Sequence, residues 1–194
     1  MAYAILRHGK IKSTAKGVAI GHNHRTATSE QSNIDRTRSG LNGYMEGSAM
    51  ERLNALLPDK HRKDAVVAVE LLLTASPEWF DELAKDRDEL GKDPTFKAWV
   101  SESFAWAKKE FGTNLVDVAL HMDESTPHIH LLTVPLTQDG RLCAKEVTGR
   151  KEMQRRQDAY AKAVSAFGLR RGQPAQETKR AHQPRNDKTE GAGG

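Results

Sequence analysis

Two short apolar runs, LVDVALH (Leu115–His121) and HIHLLTVP (His128–Pro135), are joined across the short connection DESTP, and each has a histidine at the end next to it. Runs of this length, rich in Val, Leu and Ile, read as strands, and so short a connection between them predicts a hairpin. Side chains alternate along a strand, so His128 and His130 share one face while Ile129 takes the other. Pairing across the hairpin then brings His121 beside them. Three imidazoles converge at one end of a sheet wherever the other strands fall, and Pro127 fixes the backbone just before the pair. Asp123 and Glu124 lie in the connection itself.

The rest of the chain supplies enough material for one substantial core. It has 194 residues, 37% apolar and 29% charged, which suits a globular domain with a highly charged surface. Ala2–Leu6 predicts a first strand, and Ala65–Ala75 (AVVAVELLLTA) a buried one. Residues 13–25 predict a short helix with a Ser or Thr cap, and Met45–Leu57 has helical spacing that stops at Pro58. Ser76-Pro77-Glu78 reads as a helix start with Ser as cap. Phe96, Trp99, Val100, Ser103, Phe104 and Ala107 mark the core face of a helix running to about Phe111. Arg150–Phe167 predicts another helix. The polar stretch TATSEQSNIDRTRSGLNG reads as an extended loop or lid, and residues 173–194 as a polar tail or the start of a linker.

The single Cys143 excludes an intrachain disulfide framework and a cysteine-rich zinc site. The apolar stretch of a signal peptide is lacking, no segment is long enough to span a membrane, and a cytoplasmic protein is expected. The net charge of +4 permits nucleic-acid binding without requiring it.

His121, His128 and His130 form a compact ligand set that leaves room for water and substrate. A cation held there polarises an oxygen and offsets developing negative charge, as hydrolysis or phosphoryl transfer requires. Three imidazoles suit zinc, and a phosphate-bearing substrate admits Mg2+ or Mn2+ equally. Glu124 is placed as a fourth ligand, as an orienting group or as a general base. His22-Asn23-His24-Arg25 forms a second polar cluster. On a helix, His22 and Arg25 share a face, so Arg25 can fork onto a phosphate that His22 attacks. Arg36, Arg38, Asn42 and Tyr44 make a basic loop with one aromatic ring, and Arg62-Lys63 adds charge before the buried strand, a combination found in single-strand binders. Tyr44 competes with His22 as nucleophile. Each of these residues taken alone is also compatible with an ordinary solvated surface.

The pattern HMDESTPHIHLLTVPLTQDGRL, with HNHR, NIDRTRSGLN and RKDAV upstream, resembles the Mob/Pre (MobV) family of plasmid mobilisation relaxases over residues 1–172. The resemblance implies an α+β fold, with a central, mainly antiparallel sheet flanked by helices, as in the His-hydrophobe-His endonucleases. It implies site- and strand-specific nicking and rejoining at a plasmid origin of transfer, recognised as a single strand plus hairpin, through a 5′-phosphate attached to the protein. His121, His128 and His130 become the ligands of Mn2+ or Mg2+, Glu124 the acidic helper, His22 the nucleophile and Arg25 its phosphate partner. The family commonly places tyrosine directly after the asparagine of RSxLN. Here Gly43 intervenes and displaces Tyr44 by a residue, about 3.8 Å along the chain. The resemblance also implies conjugation machinery or a coupling protein as partner, and a dimer through a C-terminal continuation. The competing readings are a metal hydrolase that attacks with water and a DNA-binding protein with a structural metal.

Overall fold

The computed structural model describes residues 1–26 and 33–172; the expected tail, 173–194, and part of the expected loop, 27–32, fall outside them. Six strands form one sheet: β1 (Tyr3–Lys12), β2 (Gly43–Tyr44), β3 (Val66–Ala75), β4 (Leu115–His121), β5 (His128–Thr133) and β6 (Arg170–Arg171), in the order β2-β4-β5-β3-β1-β6. Every pairing is antiparallel except the short parallel contact of β1 with β6. The helices are α1 (Lys16–Asn23), α2 (Ala49–Leu56), α3 (Pro77–Leu83), α4 (Arg87–Lys92), α5 (Pro94–Phe111), α6 (Ala144–Thr148) and α7 (Arg150–Ala163). The architecture is therefore the α+β arrangement expected. No helix among the described residues is long and apolar enough to cross a membrane.

The apolar run of β3 makes it a central strand, paired with β1 on one side and β5 on the other. Alternation sends Leu71 and Leu73 of β3, Ile129 and Leu131 of β5, and Leu6 of β1 to one face. There they pack with Trp79, Phe80, Phe96, Trp99 and Tyr160 in the main core. Fully burying a large apolar side chain contributes about 1.5–3 kcal/mol, so this layer fixes which face of each strand is inside. A smaller core on the opposite face joins Ile11, Ala68, Val116 and Leu132 to Leu53 of α2. His128 and His130 sit on that second face, toward the end where β3 finishes, with Thr74 and Leu72 as their β3 partners.

The elements differ from the sequence expectations in several places. β1 does not stop at Leu6: RHGKIK continues it to Lys12, paired with β3 as far as Val66. Its polar side chains are exposed while the backbone stays paired, and an apolar run cannot report that. Residues 33–44 are not extended throughout. Arg36–Leu41 form a 3-10 helix in which Asp35 accepts from the Thr37 backbone N–H, and Gly43–Tyr44 add an edge strand. Ser76 heads α3, but its hydroxyl accepts from the Tyr3 backbone N–H instead of capping the helix. α1 likewise begins without a side-chain cap, after a 3-10 turn at Ser13–Ala15. α4 was not foreseen; Asp86 caps it through the backbone N–H groups of Asp88 and Glu89. Phe104 falls off the buried stripe of α5 and is 40% exposed.

Candidate active site

Register brings the histidines together. His121 lies directly opposite His128 in the β4–β5 pair, and His130 lies opposite Ala119. His121 Nδ1 is 3.3 Å from His128 Nε2, which is 3.1 Å from His130 Nε2. All three residues are buried. The outward nitrogens fix the tautomers. His121 Nε2 donates to the Asn23 carbonyl at 2.8 Å, and His128 Nδ1 donates to the Thr126 carbonyl at 2.8 Å. His130 Nδ1 faces Glu70 Oε1 at 3.0 Å, off the axis of a straight hydrogen bond, and no other group among the described residues bonds to it. Because a carbonyl or carboxylate only accepts, each outward nitrogen carries the proton and each inward one presents a lone pair. Three lone pairs face one another with no proton between them, an arrangement that a cation relieves.

Burial, reinforced by the neighbouring His130, pushes His121 down to about 3. It therefore stays neutral at neutral pH, as a metal ligand must. Glu124 Oε1 lies 3.8 Å from His121 Nδ1 and 3.7 Å from His128 Nε2. The three histidines form one group able to hold a metal ion, and His121 with Asp123 and Glu124 forms another that overlaps it.

The last turn of α1 brings His22 to this cluster. Its ring lies edge-on to His121 and His130, with centroids 6.1 and 5.8 Å away. Burial, then the nearby His130 and Arg25, lower its pKa and favour the neutral imidazole. The helix ends at Asn23, so Arg25 is not on its surface as expected. It adopts φ 58°, the only positive φ outside glycine among the described residues. The Thr26 N–H bonds the Gly21 carbonyl and the Arg25 N–H the His22 carbonyl. This is a Schellman ending with arginine where glycine is usual.

The turn aims the guanidinium back at the site. Nε and Nη2 donate to the two oxygens of Asp123 at 3.0 and 2.6 Å, and Nη2 also reaches Glu124 Oε1 at 2.9 Å. A left-handed conformation costs a side-chain-bearing residue about 1–2 kcal/mol. Arg25→Gly is therefore expected to unfold at higher denaturant than Arg25→Ala, by about 1 kcal/mol, with both below wild type. Urea titration of the three proteins measures the order, and an Ala variant at least as stable as Gly would remove the strain argument.

The remaining expected residues divide by position. Asn42 and Tyr44 border the site. Asn42 donates to Asp123 Oδ2 at 2.7 Å and accepts from the Met122 backbone N–H, while Tyr44 stacks on His24 with ring centroids 5.2 Å apart. Arg36 and Arg38 are exposed on the adjoining 3-10 helix, Arg38 beside Asp35 at 3.2 Å. Arg62 and Lys63 are exposed before the start of β3, about 20 Å along that strand from the residues opposite the histidines. Four further participants were not assigned from the sequence: Glu70, Asn23, Asp123 and Thr126. The nearest signal for Glu70 was a single carboxylate inside an otherwise apolar strand.

The family model described as plasmid recombination enzyme, Mob_Pre, matches residues 1–188. The plasmid recombination enzyme type 3 of Staphylococcus aureus is 32% identical over 94% of this chain and 46% of its own length. A plasmid recombination enzyme from a Bacillus species is 31% identical over 89% of this chain and 43% of its own. The chain thus spans less than half the length of these relatives. Among solved structures, the Mn-bound MobM relaxase domain (MOBV) with plasmid pMV158 oriT DNA superposes with a TM-score of 0.76 at 25% identity, covering 94% of this chain and 95% of that one. A second Mn-bound structure of the same domain with oriT DNA gives 0.73. With a family model that matches nearly the whole chain, curated relatives above 30% identity and the same fold, this chain belongs to the Mob_Pre family of plasmid recombination enzymes.

Proposed function

We propose that this chain is a relaxase that nicks and rejoins one DNA strand at a plasmid origin of transfer, with His22 as the covalent nucleophile. The observation that carries the reading is the neutral His22 ring set edge-on against the three-histidine cluster. His121, His128 and His130 hold a divalent cation, Mn2+ as in the solved relatives or Mg2+, which offsets the charge developing on the scissile phosphate's non-bridging oxygens.

The imidazole nitrogen of His22 attacks phosphorus in line. A P–N bond forms, the P–O3′ bond breaks, and the imidazole proton ends on the departing 3′-oxygen, with Glu124, whose charge acts on His22, as the carboxylate to relay it. Attack by an incoming 3′-OH reverses the step and reseals the strand. Arg25 keeps Glu124 and Asp123 in place and lends positive charge beside the phosphate. Arg36, Arg38, Asn42 and Tyr44 line the path of the strand, while Arg62 and Lys63, at the other end of β3, are placed for a hairpin stem.

The test is covalent trapping. An oligonucleotide carrying the pMV158 origin, the DNA bound by the solved relative, or the origin of the plasmid encoding this chain, is incubated with protein and Mn2+. Denaturing electrophoresis then resolves the adduct. Wild type and Tyr44→Phe should give a denaturation-resistant protein–DNA band and His22→Ala none. Loss of the band only in Tyr44→Phe would return the nucleophile to tyrosine. Cleavage without any band would leave a hydrolase.

A further inference from the structure

Asn23, between His22 and His24, is 1% exposed. Its two polar ends go to the metal ligands by different routes. The backbone carbonyl accepts from His121 Nε2 at 2.8 Å. The side-chain Nδ2 donates to Glu70 Oε1 at 2.9 Å, and that same oxygen lies 3.0 Å from His130 Nδ1. Glu70 projects from the middle of β3 on the histidine-bearing face, and Asn23 closes the last turn of α1. Two of the three candidate ligands are therefore backed, on the nitrogen away from the cation, by groups belonging to or bonded to the residue that follows His22.

From this geometry we infer that Asn23 and Glu70 are positioning residues that lock the metal ligands and the nucleophile-bearing turn of α1 into one unit. The inference rests on the metal-assisted reading above. A carboxylate behind a ligating imidazole fixes its tautomer and raises its basicity, and losing such a partner weakens metal binding by about 10–100-fold. Glu70 does this for His130. By accepting from Asn23 as well, it passes the position of the ligand to α1, so loading the cluster also stiffens the turn that aims His22. His128, held by the Thr126 carbonyl in its own loop, lies outside this link.

The two residues separate in experiment, with Mn2+ alone as probe and no DNA. Isothermal titration should give Glu70→Gln, which keeps the size of the side chain, an Mn2+ affinity about tenfold below wild type. Asn23→Ala, which retains the backbone carbonyl and the Glu70–His130 contact, should stay within about threefold. Amide hydrogen exchange reads the coupling. In wild type, saturating Mn2+ should slow the amides of His24, Arg25 and Thr26, whose N–H groups close the end of α1. In Asn23→Ala at saturation that slowing should shrink about tenfold, the equivalent of one hydrogen bond to a charged group. Wild-type affinity in Glu70→Gln overturns its positioning role, and undiminished slowing in Asn23→Ala overturns the coupling. A wild-type chain that binds no Mn2+ would sink the metal reading itself and this inference with it.

Discussion

His128→Ala is expected to abolish measurable Mn2+ binding and to slow covalent adduct formation by about three orders of magnitude. His128 is central in the cluster: its Nε2 is the nitrogen that approaches both His121 Nδ1 and His130 Nε2. Removing it leaves two imidazoles and an open side, too few donors for a tight site. The charge stabilisation lost is several kcal/mol; about 4 kcal/mol corresponds to about three orders in rate. Chelation of the wild-type protein should reproduce the loss and excess Mn2+ should reverse it, whereas excess Mn2+ should not rescue the variant. The neighbouring residue is the control. Ile129 points into the main core, so Ile129→Val should cost about 1 kcal/mol of stability and leave Mn2+ affinity unchanged. If His128→Ala kept Mn2+ affinity within a few-fold of wild type, the cluster would not be the metal site.

What could be read from the sequence is what local geometry determines. Alternation along His128-Ile129-His130 and the closeness of His121 across a hairpin follow from strand period and chain connectivity alone, and the register bears them out. The apolar runs likewise locate β3, β4 and β5. Legibility ends where a residue's role depends on a partner distant in sequence. Glu70 meets Asn23 across 47 positions, and Arg25 meets Asp123 across 98. Arg25 was read as free for a phosphate because the sequence shows its charge and not the carboxylates that occupy it. Residues 33–44 looked unstructured because they lack apolar spacing. They are fastened instead by polar ties: Ser39 and Asn42 donate to the Asp123 carboxylate, and the Asp35 backbone N–H donates to the Asp123 main-chain carbonyl. A hydrophobic pattern cannot register a segment organised around one buried carboxylate.

That carboxylate carries the largest stability effect expected of the site. Asp123 is fully buried and accepts from Arg25 Nε and Nη2, Ser39 Oγ and Asn42 Nδ2. Asp123→Ala leaves the Arg25 side chain, 9% exposed, with only Glu124 to balance it. Breaking a buried pair by deleting one partner costs about 3–5 kcal/mol, so the Tm should fall by about 10 °C. The pH dependence separates this effect from that of the histidines. Burial alone would raise Asp123, but the bonds from Arg25, Asn42 and Ser39 outweigh it and hold the carboxyl well below the usual range. A group depressed on folding contributes stability that is complete above its unfolded pKa, about 3.9 for Asp, and lost as pH falls through the folded value. His121, depressed from 6.5 to about 3, loses its contribution earlier, as pH falls from about 6.5. Acid titration of the metal-free protein should therefore show stability declining from about pH 6.5 and steepening below about pH 4. Mn2+ should alter the earlier phase, because protons compete with the metal for the same nitrogens. Asp123→Asn should make the later one shallower, leaving the part carried by other depressed carboxyls such as Glu70; if the slope below about pH 4 in that variant equals that of wild type, the central role given to Asp123 fails.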